Sequence, residues 1–456
     1  MIETFRRTFA FDGRRTGAGR SWVWRFGAAW IAVAAAGGPS ATAADGFLVV
    51  RAKHVITAAG VDFTQGTVVI DGAQIRLVGD RDVEVPAGSR RLEAGDEYVM
   101  PGLVLARTRH SLPRYARSGN QSHRSAAIEI YPDEVDFDEL LARGFTTVAF
   151  YPDGAGIPGR ATICSTGGPA RSGEKLEDSY LRISMANPAS DKGTLSTALA
   201  KAKEQIAKIA KAREEWEKKQ TPAPAEGDAK PAGGGAQSAE GPGAAPTEGA
   251  SSSDRAKTVF VPPSTDARLQ FFVDWLEKKP GQQVAFELSR PSDLVHLEEV
   301  LAAYPELSPD RFYLTPDLRP DHRRVLDRWA ALHPKVMLAP RLFQLPETVT
   351  RFDLVGDLVR SGCEVSFVPE GDGASDFEAL RGGIADLVRV GVERATLVRG
   401  LTLHPARFLG IEDRCGSLEK GKRADLVFFD GDPLDPASRV TRVMIGGTVV
   451  WERGRR

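Results

Sequence analysis

The chain is poor in the residues that usually announce a stapled or metal-built protein. It has only three cysteines in 456 residues, Cys164, Cys363 and Cys415. They lie far apart, with no CxxC or other ligand spacing, which excludes a disulfide framework and a zinc ribbon. Three buried, apolar-like thiols are the simplest reading. Neither charge sign dominates: 60 basic residues face 61 acidic ones. That balance excludes a globally electrostatic partner such as nucleic acid or an anionic membrane, and leaves any charge effect local. There is no GxSxG elbow and no phosphate-binding glycine loop, and Ser165-Thr166-Gly167-Gly168-Pro169 reads as a βα turn. No apolar run approaches the roughly 20 residues needed to span a bilayer.

The N-terminus has an export pattern. Arg6, Arg7, Arg14, Arg15, Arg20 and Arg25 precede an apolar stretch from Phe26 to Ala36, and Ala41-Thr42-Ala43 supplies the small residues that a signal peptidase accepts. The expectation is a signal peptide over 1–43, a mature chain from Ala44 and a periplasmic or extracellular location. The spacing of Arg6-Arg7 from the apolar stretch fits general secretion better than a twin-arginine route.

Between Gly46 and Val99 the chain reads as strands and turns. Thr67–Ile70, Asp71-Gly72 and Gln74–Gly79 form a hairpin pattern, with a turn dipeptide that tolerates positive φ. The far end repeats this with Ala424–Phe429 and Val443–Trp451, so residues 44–98 and 411–456 are expected to join as one small β-sandwich. The middle, 99–410, alternates apolar runs with helical spacing. Eight candidate strands (99–106, 146–150, 161–164, 181–185, 284–288, 312–315, 336–339 and 364–368) suit an α/β (β/α)8 barrel. An inserted helix over 194–219 carries Leu195, Leu199, Ala202, Ile206, Ile209 and Trp216 on one stripe. The following stretch, 220–257, has almost no apolar content and reads as a linker with too little to bury for folding.

Two motifs carry a family resemblance. Val99-Met100-Pro101-Gly102-Leu103-Val104-Leu105-Ala106-Arg107-Thr108-Arg109 resembles the amidohydrolase segment V-M-P-G-L-I-D-x-H-T-H. Thr402-Leu403-His404-Pro405-Ala406-Arg407-Phe408-Leu409-Gly410, followed by Gly416-Ser417-Leu418 through Ala424-Asp425-Leu426-Val427, resembles the closing T-x-N-P-A-R-x-L-G … G-S-L-x-x-G-K-x-A-D-L-V of imidazolonepropionase-like and dihydroorotase-like members. The resemblance implies a metal-dependent hydrolase of non-peptide C–N bonds, with zinc or another divalent ion at the C-terminal mouth of the barrel. There the metal would lower the pKa of a bound water and polarise a carbonyl.

The same resemblance places the family's two first-strand histidines on Arg107 and Arg109, and its aspartate on Leu105. A guanidinium has no lone pair to offer a cation. The fifth-strand histidine falls on or near Glu287, and the sixth strand offers none. The last-strand aspartate falls on Glu370, or on Asp372 if the register slips, and these two are the candidate catalytic carboxylates. His404 stands where the family has asparagine and reads as a capping or packing residue. His110 points to the opposite strand face, and a relocated metal site would have to combine it with His123 and Glu370.

The expectation is that no metal cofactor is held. Arg107 or Arg109 would pair with Glu287 or Glu370, and Arg107, Arg109, Arg114 and Glu287 form the candidate ligand-binding set. Five arginines between 107 and 124 with no acidic residue either hold an anion or form a solvated basic loop. Two functional readings stand: a noncatalytic exported barrel that binds an anionic small molecule or a partner protein, and an active divergent hydrolase of cyclic or linear amides.

Overall fold

The computed structural model describes residues 46–454 apart from 116, 169–175, 221–258, 317–320 and 345–346. The expected signal peptide and nearly all of the linker therefore lie outside the described residues.

The N-terminal strands are β1 (Leu48–Val55), β2 (Phe63–Asp71), β3 (Gln74–Gly79), β4 (Arg90–Glu93) and β5 (Tyr98–Pro101). β2 and β3 form the expected hairpin, with Gly72 at φ 57° in a position a side chain would strain. The barrel strands follow: β6 (Leu103–Thr108), β7 (Phe145–Phe150), β8 (Gly159–Ser165), β9 (Glu177–Ser184), β10 (Val284–Leu288), β11 (Arg311–Leu314) and β12 (Lys335–Leu338). A two-stranded ribbon, β13 (Phe343–Gln344) and β14 (Arg351–Phe352), precedes the last barrel strand, β15 (Glu364–Phe367), and the chain closes with β16 (Leu426–Phe429), β17 (Val440–Ile445) and β18 (Thr448–Glu452).

Both ends of the chain build one sheet, in the order β18-β17-β16-β5-β1-β2-β3 with β4 on β1. The junction is the antiparallel pairing of β5 with β16, in which Met100 faces Val427. This sheet has its own core, in which Val50, Val68, Ile70, Val99, Leu426, Phe428 and Met444 are buried together. The residues read as one strand, 99–106, divide at Gly102: β5 belongs to this sheet and β6 to the barrel. A side chain at Gly102 would collide with Thr146, whose Oγ1 stands well inside contact distance of where a Cβ would sit.

The second sheet runs β15-β12-β11-β10-β9-β8-β7-β6. All eight expected strands are in it, and both faces are covered, so β7 is buried at every position. One departure from a parallel barrel appears. β8 is antiparallel to both β7 and β9. Only residues 151–158 separate β7 from β8, too few for the crossover of a dozen or more residues that a parallel connection requires.

The inserted helix runs from Pro188 to Gln220. Leu195, Ala198, Leu199 and Ala202 are buried where it meets the helices Ala267–Leu276 and Pro291–Leu301. Farther along, Trp216 meets Phe260 with ring centroids 5.8 Å apart. All three cysteines are free and buried. No helix among the described residues is long and apolar enough to cross a membrane.

Candidate functional site at the barrel mouth

Strand alternation and register bring five charged or aromatic side chains to the C-terminal end of the barrel. Glu287 on β10 is the register partner of Tyr313 on β11, so their side chains share a face. Arg107 sits near the end of β6, Arg182 near the end of β9, and Tyr151 directly follows β7. Glu287 Oε2 accepts a hydrogen bond from Arg182 Nε at 2.7 Å and lies 3.7 Å from an Arg107 nitrogen. The three charged side chains are only 11–13% exposed.

Arg107 is clamped by aromatic faces. Its guanidinium carbon is 3.8 Å from the centre of the Tyr151 ring and 3.9 Å from that of Tyr313, within the range where the ring quadrupole attracts a cation. Burial disfavours its charge, but Tyr313, Tyr151 and Glu287 outweigh that and hold its pKa above the ordinary value. Glu287 shows the converse. Burial alone would raise its pKa, yet Arg182 and Arg107 bring it below the usual carboxylate value. Burial pushes the Tyr313 hydroxyl up to about 12, with Arg107 acting the other way. Tyr180, whose pKa burial also raises, crosses the barrel to donate to the Ala106 carbonyl at 3.1 Å.

Arg109 does not join this cluster. Its guanidinium donates to Glu129 Oε2 at 3.0 Å and to the Tyr151 carbonyl at 2.6 Å, and also to the Pro113 carbonyl. Arg117 pairs with the other Glu129 oxygen. Glu129, in the short 3-10 turn Ala126–Glu129, is thus a buried acidic hub just beyond the acid-free arginine stretch. Nothing in the local sequence marks it; only the fold carries that turn back to the mouth.

Asp372 ties the segment after β15 to the end of β6. No strand pairing joins β15 to β6. Instead Asp372 Oδ1 accepts from Thr108 Oγ1 at 3.0 Å and from the Arg109 backbone N–H at 2.6 Å, and its Oδ2 lies 3.6 Å from the largely exposed Arg114. Glu370 is elsewhere, 2.7 Å from Arg341. His110 is held by its Nδ1 at 3.2 Å from the Asp372 carbonyl and its Nε2 at 3.2 Å from Glu139, while His123 is exposed on a turn. The structure therefore brings Arg107 and Glu287 together, ties Asp372 to the strand end that carries Arg109, and leaves Glu370 apart. His404 is buried and contacts the Val365 carbonyl at 2.9 Å, a packing role. Asp425 orders a turn, with its Oδ1 accepting from Gly446 N at 3.0 Å.

Sequence reasoning missed Arg182, Tyr151, Tyr313 and Glu129. Arg182 left a trace, as a charge inside the apolar run Leu181-Arg182-Ile183 that calls for a buried partner.

Residues 353–450 match the Amidohydrolase family. A crystal structure of an amidohydrolase from Thermotoga maritima MSB8 superposes with a TM-score of 0.65 at 19% identity, over 89% of this chain and all of that one. The chain shares that protein's fold. Atrazine chlorohydrolase TrzN from Arthrobacter aurescens TC1, solved with zinc, aligns over 90% of this chain and 96% of its own at 17% identity, with a TM-score of 0.49. No curated protein matches the chain in sequence.

The donor set at the mouth does not fit the divalent metal that the amidohydrolase resemblance implies. Among the described residues no three His, Cys, Asp or Glu side chains are grouped to hold an ion. Glu287 is engaged by two guanidinium groups, and Asp372 by a hydroxyl, an amide and a third guanidinium. A cation added beside Arg107 and Arg182 would meet like charge in a nearly dry site.

Proposed function

We propose that this amidohydrolase scaffold is noncatalytic for metal-dependent hydrolysis, and that fixed guanidinium charge stands in for the metal's. The observation that carries the reading is the Arg107–Glu287–Arg182 cluster, with Arg107 stacked between two tyrosines. Two of its members, Arg107 and Glu287, stand where the resemblance would put metal ligands. Removing either sign would leave an expensive buried charge, and with two guanidinium groups to one carboxylate the cluster has no need of a metal cation. The barrel then serves as a binding scaffold, with an anionic small molecule favoured by the surplus of guanidinium at the mouth. Export to the periplasm or the extracellular space is part of the same proposal and rests on the N-terminal pattern.

The test is elemental analysis of protein purified without chelators, combined with assays on cyclic and linear amides. Less than a tenth of an equivalent of zinc, iron or manganese is expected, roughly, with turnover at the blank. A stoichiometric metal together with amide hydrolysis would revive the active-hydrolase reading. Sequencing the same protein recovered from a native host should begin at Ala44; an intact Met1 would sink the export proposal.

A further inference from the structure

Resting on that reading, we propose that Arg107, Tyr151 and Tyr313 form a specific site for a small monovalent carboxylate. Arg107 meets Glu287 only at 3.7 Å, and no described residue accepts a shorter hydrogen bond from its guanidinium. Stacking occupies the two faces of the guanidinium and leaves the N–H groups at its edge as donors. Tyr151 and Tyr313 are 6% and 4% exposed. Neither hydroxyl bonds to a described residue, and neither is among the fully buried polar atoms without a partner.

Buried hydroxyls are ordinarily paired, and two hydroxyls without a protein partner, flanking a guanidinium whose ion pair with Glu287 is as long as 3.7 Å, can be satisfied by one acceptor. All three are of the kind an oxyanion accepts from. Burial pushes the Tyr313 hydroxyl up to about 12, which keeps it a donor at neutral pH.

Charge selects among oxyanions. Arg107 and Arg182 face the single carboxylate of Glu287, which leaves one positive charge uncompensated in a site that is nearly dry. A monovalent ligand neutralises it. A phosphate dianion would overshoot and would meet Glu287 as a like charge. The planar guanidinium edge suits two carboxylate oxygens side by side, and in the proposed site the tyrosine hydroxyls donate to the same acceptor.

The full chain is titrated calorimetrically with acetate, propionate, phosphate and chloride at constant ionic strength, and the series is repeated with Y151F, with Y313F and with the double variant. The phenylalanines keep the aromatic faces against Arg107 and remove only the hydroxyls, so folding is retained. Saturable binding of a carboxylate is expected, weakened about tenfold for each hydroxyl lost, with the unfolding midpoint unchanged. R107Q should abolish it, and a melting curve on the same sample tells lost binding from lost fold. Phosphate saturating more tightly than either carboxylate overturns the assignment of ligand class, as does a chloride affinity equal to that of acetate. Carboxylate affinity unaltered in the double variant overturns the site. Failure here with no metal in the protein leaves the noncatalytic reading standing, whereas a stoichiometric metal removes both.

Discussion

Substituting Glu287 by glutamine isolates the interaction on which the mouth depends. The carboxylate lies 2.7 Å from Arg182 and 3.7 Å from Arg107, with all three side chains 11–13% exposed. At an effective dielectric of about 20, those separations correspond to attractions of about 6 and about 4 kcal/mol. Most of that is offset by the cost of drying the ions, and removing one partner of a buried pair typically costs about 3–5 kcal/mol. The amide oxygen introduced by E287Q can still accept from Arg182, so the low end, about 3 kcal/mol, is expected. With a urea dependence of about 3 kcal/mol per molar, the unfolding midpoint should fall by about 1 M.

The pH dependence gives an independent check. Arg182 and Arg107 bring the folded pKa of Glu287 below its ordinary 4.5 against the effect of burial. Its contribution is therefore complete above about 4.5 and lost as pH falls through the lower folded value. The stability gap between wild type and E287Q should be constant at neutral pH and close as the solution is acidified. A midpoint shift below about 0.2 M, or a gap that does not change with acid, would refute an energetically coupled cluster.

Two further outcomes follow from the geometry. D372A strips the acceptor from Thr108 Oγ1 and the Arg109 N–H at the unpaired seam. A loss of about 3 kcal/mol is expected, with amide exchange accelerated in β6 and β15 but not in β10 or β11; uniform acceleration would contradict a local tie. His404 has its pKa lowered, chiefly by burial, from 6.5. A neutral imidazole favoured by folding makes stability decline as pH drops below 6.5, by at most about 1.4 kcal/mol per pH unit. H404N should lack that slope in denaturation series run on either side of the ordinary value, and a persisting slope would assign it to another group.

Much of the scaffold was legible because its signals are local. Apolar runs of four to eight residues marked all eight barrel strands, and Asp71-Gly72 marked its hairpin. The joining of the two ends followed from β-rich segments with nothing else to pair with, and β5 against β16 is that pairing. The reversal of β8 was invisible to periodicity, since alternation has no direction, although the short connection over 151–158 encoded it. The site was harder for the same reason. Arg107 with Glu287 could be inferred from charge compensation, because a cation that replaces a ligand needs an anion nearby. The true partner of Arg109 could not, since Glu129 reaches it through a loop path that no sequence pattern records. The separation of Glu370 from Asp372 turns on two residues beyond the end of a strand, where the chain is free to change direction.

The hydrogen-bonded junction of β5 with β16 makes synthesis order matter. A chain emerging from the ribosome presents β1 to β5 more than 300 residues before β16 exists. The first sheet edge must wait, unpaired, through translation of the whole barrel, so the last few dozen residues act as a latch whose loss would strand a nearly finished protein with an adhesive edge.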